Sequence, residues 1–309
     1  MLLIDAIIII AAILIVSKSA DILVDSAARI AVSLNVSVLI IGLTVVAFGT
    51  SAPEMAVSAT AALKGHGNIA VANVVGSNVF NLCIILGLVA LIRPLKTTES
   101  LVKRDSGILF AGTLVLFVFM YDFQISTIEG IIFFAILLSY LAYLGHKGKK
   151  PVVEEEISEE EATRHDPLQL ALGLLGVVVG AHFLVESSVS IATILGVPEW
   201  AIGVTIVAFG TSVPELATAI AAARKEHYSM SAGNLIGSDI FNMFGVIGIA
   251  GILSKMTFST SSLIDVGLLV GTVGIVALFL RTGYVVSRKE GLGLFIIGIA
   301  RWIHVILTA

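Results

Sequence analysis

Apolar stretches long enough to cross a bilayer recur down this chain, separated by short charged or turn-rich joints. They fall at about 2–30, 38–63, 69–92, 105–120, 126–144, 168–195, 200–223, 229–253, 262–280 and 290–308, a pattern that predicts ten transmembrane helices. The joints include Lys64-Gly65-His66-Gly67, Arg93-Pro94, Tyr121-Asp122, Val197-Pro198-Glu199, Arg224 to His227 and Arg281 to Lys289. One longer hydrophilic stretch, His146 to Asp166, holds Lys147, Lys149, Lys150 and a glutamate-rich run, and reads as a solvated linker. The predicted organisation is therefore a first five-helix unit (1–144), a charged linker (145–166) and a second five-helix unit (167–309).

Met1 to Ala20 could be taken for a secretory leader. It carries Asp5 and no basic residue before the apolar Ile7–Val16 run, has no good cleavage site, and its apolar spacing resumes through Ile22, Leu23, Val24, Ala27 and Ile30. It reads as the first membrane helix. Fourteen of the 18 Lys and Arg fall in the joints after spans one, three, five, seven and nine. The positive-inside rule makes that side cytoplasmic and puts both termini outside, in the plasma (cell inner) membrane. An odd number of spans per half makes the second half enter from the opposite side, so an inverted repeat is possible.

Composition agrees with the membrane reading. The chain is 57% hydrophobic with a mean hydropathy of +1.05, and only 13% is charged, against about a quarter in soluble domains. A net charge of −4 gives no argument for a nucleic-acid partner. The single cysteine, Cys83, excludes an internal disulfide or a multi-cysteine metal site.

The repeat is then visible residue by residue. Gly42-Leu43-Thr44-Val45-Val46-Ala47-Phe48-Gly49-Thr50-Ser51-Ala52-Pro53-Glu54 returns as Gly203-Val204-Thr205-Ile206-Val207-Ala208-Phe209-Gly210-Thr211-Ser212-Val213-Pro214-Glu215. Asn73 to Asn81 returns as Asn234 to Asn242 at the same spacing, and this register sets Asp25 opposite Glu186 and Asp21 opposite His182. Pro53 and Pro214 interrupt their helices, which frees carbonyls beside Thr50, Ser51 and Glu54 and beside Thr211, Ser212 and Glu215. Asn73, Ser77 and Asn81 share one helix face, as do Asn234, Ser238 and Asn242. Asp239, about 100° around the helix from Ser238, reads as off that stripe.

Singly, each Pro, Gly, Ser or Asn could be a kink or a packing device. A carboxylate at mid-bilayer is different, because it costs about 2.5–3.5 kcal/mol or more and so calls for a compensating cation or proton. The pooled ligands are all oxygen, which suits calcium and sodium and not zinc or copper. Asp21, Asp25, His182 and Glu186 lie nearer a membrane face, where snorkelling and access-path roles compete.

The paired Gly-Thr-Ser-x-Pro-Glu and Gly-Ser-x-x-x-Asn motifs resemble the alpha repeats of the calcium/cation antiporter superfamily, in particular its sodium/calcium exchanger branch. The resemblance covers nearly the whole chain. It implies that Thr50, Ser51, Glu54, Ser77 and Asn81, with Thr211, Ser212, Glu215, Ser238 and Asn242, are ion ligands, joined by the Ala47 and Ala208 carbonyls. It implies alternating access, with the first and sixth spans sliding across the other eight. Asn242 stands where the potassium-dependent branch has Asp, so no potassium requirement is expected.

With Glu54 and Glu215 ionised the site carries −2, which one calcium or two sodium ions neutralise. The expected fold is an all-α integral membrane protein of ten helices in two inverted repeats of five. The expected activity is calcium/sodium antiport, with no cofactor, no catalysis and no obligatory protein partner. Proton/calcium antiport is the alternative, although the Gly-Asn-Ala-x-Glu setting of that branch is absent. The His-Glu-x-x-His, Gly-x-Ser-x-Gly and P-loop signatures that would suggest an enzyme are absent as well.

Overall fold

The computed structural model describes residues 2–147, 163–197, 206 and 208–308. The linker expected at 145–166 and the first part of the span expected at 200–223 fall largely outside them. The described chain is almost wholly helical: α1 Leu2–Ser33, α2 Val38–Thr50, α3 Ala52–Leu63, α4 Gly67–Ile92, α5 Leu101–Asp122, α6 Thr127–Lys147, α7 Asp166–Ile194, α8 Val213–Arg224, α9 Tyr228–Leu253, α10 Thr260–Arg281 and α11 Arg288–Thr308. Among the described residues, seven helices (α1, α4, α5, α6, α7, α9 and α10) are long and apolar enough to cross a membrane. The α2–α3 pair, bent by 48°, makes an eighth if it is one span. This is a multi-pass membrane protein.

Helix bounds differ from expectation where charge is neutralised inside the helix. α5 begins at Leu101, four residues before the expected 105, and takes in Lys103 and Arg104. Arg104 donates twice to the buried Asp105 carboxylate, at 2.7 and 3.0 Å, and Tyr140 donates to the same group at 2.9 Å. With Asp105 satisfied by its neighbour Arg104 and by Tyr140 of α6, the charged turn need not leave the helix.

Two features hold the helices in place. The first is backbone contact through glycine. A Cβ on Gly237 would lie 2.8 Å from Leu43 Cα, and one on Gly42 would lie 2.8 Å from the Met230 carbonyl oxygen, so α2 and α9 touch main chain to main chain. Gly173 brings α7 onto Leu23 and Ser19 of α1 in the same way. Small residues are the usual means of close approach where lipid supplies no hydrophobic drive between helices.

The second feature is exchange between the halves. Strand β1 (Leu95–Lys96) pairs antiparallel with β4 (Val285–Val286), and β2 (Gln124–Ile125) pairs with β3 (Met256–Thr257). Phe48 meets Phe241 in a tilted contact at 5.6 Å, and Phe80 meets Phe209 edge-on at 5.2 Å. Helix α9 ends up in the middle, with nearly every residue from Tyr228 to Ile247 buried. Helices α2, α4, α5 and α9 each contain a π turn, at Gly42–Val46, Phe80–Ile85, Leu101–Asp105 and Phe241–Val246. Those at Phe80–Ile85 and Phe241–Val246 contain Asn81 and Asn242, in line with the tendency of π turns to mark functional positions.

Gly42→Val is expected to lower unfolding stability by about 1–3 kcal/mol, because the added methyls meet main chain that cannot rotate away. A thermal-unfolding series in detergent against Gly76→Ala, whose Cβ meets open space, checks this.

Candidate cation site

Ser51 is the hinge of the site. Helix α2 stops at Thr50, Ser51 takes a non-helical conformation (φ −80°, ψ 2°), and α3 restarts so that Pro53 sits in its first turn. The missing proline N–H costs nothing there, which is why the sequence breaks at this point and not at Pro53 itself. The Ala47 carbonyl accepts the Ser51 N–H at 3.0 Å and the Thr50 hydroxyl at 3.3 Å, so both of its lone pairs are engaged here and a cation would have to take the place of the longer, hydroxyl contact. The second half repeats the arrangement with a single helical turn, Ala208–Gly210, then Ser212, then Pro214 in the first turn of α8.

Glu54 and Glu215 are both fully buried, at 0% exposure. Ser77 donates to Glu54 Oε1 at 3.4 Å and Ser238 to Glu215 Oε1 at 3.1 Å, the same contact in each half. The halves then cross over: Thr211 is Glu54's neighbour from the second half, and Thr50 is Glu215's from the first. The Ser51 and Ser238 hydroxyls lie 2.8 Å apart, and Asn81 donates to Ser238 Oγ at 3.3 Å. Ser51, Ser238, Glu215 and Asn81 thus form one hydrogen-bonded cluster, and the buried Glu54–Ser77 pair, from α3 and α4, stands beside it.

The remaining members of the two polar stripes behave differently. Asn73 donates to the Glu54 carbonyl at 3.2 Å and to Ser58 at 2.9 Å, and Asn234 donates to Thr218 at 2.8 Å. Both brace the helix that carries the glutamate. Asn242 donates to Asn78 at 3.1 Å.

Asp239 corrects the sequence reading. It is fully buried and accepts from Asn81 Nδ2 at 3.0 Å, and the Asn78 amide lies within hydrogen-bonding reach of it. A 100° offset removes a residue from a ligand stripe only if that direction faces lipid or solvent. Here α9 is enclosed, and α4 lies on that side. The cost of a buried carboxylate in an apolar segment, applied to Asp239 as it was to Glu54, is the sequence signal that finds it.

Eight buried side-chain oxygens have no hydrogen-bond partner among the described residues, and seven belong to this cluster: Glu54 Oε2, Asn81 Oδ1, Thr211 Oγ1, Ser212 Oγ, Glu215 Oε2, Asp239 Oδ2 and Asn242 Oδ1. Buried polar atoms are normally satisfied, so their concentration in one place points to a ligand that accepts lone pairs. Among the described residues no three His, Cys, Asp or Glu side chains converge on one point. The donor set is carboxylate, hydroxyl and amide oxygen, which fits a hard cation. Nothing is described of the Ala208 side chain. Beside the cluster an apolar cavity of about 510 Å³ separates α3 from α7, reaching Pro53 and Thr211 at one end and passing Val57, Val179 and His182.

A family model described as sodium/calcium exchanger protein matches residues 4–145 and 165–300, nearly the whole chain. The chain belongs to the sodium/calcium exchanger protein family. Among similar members, the putative antiporter CaxA of Alkalimonas amylolytica is 34% identical over 88% of this chain and 89% of its own. The sodium/calcium exchanger MaX1 of Methanosarcina acetivorans is 32% identical, over 92% and 93%. The solved structure of the sodium-calcium exchanger NCX_Mj superposes with a TM-score of 0.86 at 30% identity, covering 97% of this chain and 99% of that one. Membership in the sodium/calcium exchanger family makes this a cation transporter of the calcium antiport class.

Asn81→Ala is expected to cost about 1–3 kcal/mol in thermal unfolding, because it leaves Asp239 Oδ1 without its donor in a buried setting. Asn73→Ala, which removes donors to a backbone carbonyl and a hydroxyl, is expected to cost about 1 kcal/mol in the same assay.

Proposed function

We propose that the protein exchanges calcium for sodium across the plasma (cell inner) membrane by alternating access. The ligands are the oxygens of Thr50, Ser51, Glu54, Ser77, Asn81, Thr211, Ser212, Glu215, Ser238 and Asn242, with the Ala47 and Ala208 carbonyls. The observation that carries this reading is the cluster of unpartnered buried oxygens around two symmetry-placed glutamates. In this reading the fold is ten helices in two inverted repeats of five, the 145–166 linker is cytoplasmic, and both termini face outside. Transport needs no cofactor, no catalytic step and no obligatory protein partner; calcium and sodium are the cargo.

Asp239 changes the charge count. Glu54 and Glu215 alone hold −2, which one calcium or two sodium ions balance. A third carboxylate in the cluster makes −3, which three sodium ions balance, or one calcium with one proton. Three bound sodium ions thus leave no uncompensated charge at mid-membrane, and one calcium does so only together with the proton.

Proteoliposomes loaded with sodium are expected to take up external calcium, and vesicles loaded with choline are not. Uptake driven by a pH gradient and indifferent to sodium would reassign the protein to proton/calcium exchange while leaving the site in place. Glu54→Gln and Glu215→Gln should each abolish uptake, since the amide keeps the shape and removes the charge; wild-type rates in either variant would refute the ligand assignment. Acidification should inhibit uptake, because protons compete with cations for these carboxylates. Uptake measured from pH 7.5 downward checks the sign.

A further inference from the structure

The two ends of the helix pair α1–α7 are held differently. Near one membrane face, Lys225, just after α8, reaches α1: its Nζ lies 2.6 Å from Asp25 Oδ1 and 3.9 Å from Asp21 Oδ1, and it donates to the Asp21 carbonyl at 3.1 Å. Helix α1 packs closely along α8 on this side. By the internal repeat, the counterparts of Asp21, Asp25 and Lys225 are His182, Glu186 and Lys64, on α7 and after α3. There the contact is open. Among the described residues Lys64 makes no ion pair, Glu186 is 66% exposed and faces only His182 of its own helix at 3.7 Å, and α7 is parted from α3 by the 510 Å³ cavity.

The two helix surfaces therefore bear matching charge sets of which one is joined and the other is not. Lysine against two carboxylates at one face has its equivalent, lysine against one carboxylate and a histidine, at the other. A rigid shift of α1 with α7 that opened the first contact would bring the second together, because α1 and α7 are locked to each other. Gly173 seats their backbones in contact, and Arg29 donates to Asp166 at 2.8 Å and to Gln169 at 2.9 Å.

We propose that Lys225 with Asp25 and Asp21 is an ion latch that holds the ion site closed toward one membrane face, and that Lys64 with Glu186 is its alternate, closing the other. The proposal rests on the alternating-access reading and adds the groups that set which face is open. The latch residues touch no ligand oxygen. They act on the ratio of the two states, so their loss changes occupancy of each state and not the site's chemistry. A part-exposed ion pair shifts such a ratio by about 2–5-fold.

The test is the distance across the cavity, measured by pulsed electron resonance between spin labels at Val57→Cys and Val179→Cys in a Cys83→Ala background, in the full-length protein reconstituted in vesicles. The parent should give a long-distance majority. Lys225→Gln and Asp25→Asn should each raise the short-distance fraction relative to the long by about 2–5-fold. Lys225→Arg should not, and the swap Asp25→Lys with Lys225→Asp should return the distribution toward the parent. Lys64→Gln should move it the opposite way. An unchanged distribution in both Lys225→Gln and Asp25→Asn overturns the latch. A shift in protein that shows no sodium-driven calcium uptake would keep the latch and discard the exchange reading, whereas normal uptake with no shift would discard the latch alone.

Discussion

The structure is organised around the cost of placing carboxylates where no water can reach them. Glu54, Glu215 and Asp239 are fully buried in the middle of a helical membrane protein, and each would be expensive there without hydroxyl, amide or cation partners. Most of the unusual local geometry serves that need. The helix breaks at Ser51 and Ser212 set hydroxyls beside the glutamates, the π turns contain the two asparagines that face the cluster, and Asn73 and Asn234 clamp the glutamate-bearing helices. The glycine contacts at Gly42, Gly233 and Gly237 then let α2 and α9 come close enough for Ser51 to meet Ser238.

Neither half supplies a complete environment for its own glutamate. Glu54 takes Ser77 from its own half and has Thr211 of the other beside it, and Glu215 takes Ser238 and has Thr50 beside it. The same exchange appears in the short strands and in the two phenylalanine pairs. An arrangement in which equivalent residues make equivalent contacts across the middle is what two copies of one unit produce when they meet around a shared centre.

Much of this was legible in the residues. The repeated Gly-Thr-Ser-x-Pro-Glu and Asn-x-x-x-Ser-x-x-x-Asn patterns, in one ungapped register, located the breaks, the glutamates and the polar stripes, because a mid-membrane carboxylate and a proline each carry a cost that only a particular setting removes. What could not be read was anything set by which helix lies against which. Asp239 was misplaced because helical periodicity gives an angle but not the neighbour at that angle. Asn73 and Asn234 looked equivalent to Asn81 and Asn242 on the helix wheel, and they differ in where their amide N–H groups go: to Ser58 and Thr218 for one pair, and across the crossing of α4 and α9 for the other. The early start of α5 depended on Tyr140, distant in sequence, satisfying Asp105.

The crossed strand pairing has a consequence for how the chain is made. While only the first half has left the ribosome, β1 and β2 have no partner, and Glu54 lacks its threonine from the opposite side. That half sits in the bilayer with an unmet carboxylate and two open backbone edges until some 160 further residues arrive. Insertion of the second half is then more than the completion of a length of chain. It is the event that ends a vulnerable interval during biogenesis, and a quality-control protease patrolling the membrane would find its substrates among chains stalled within it.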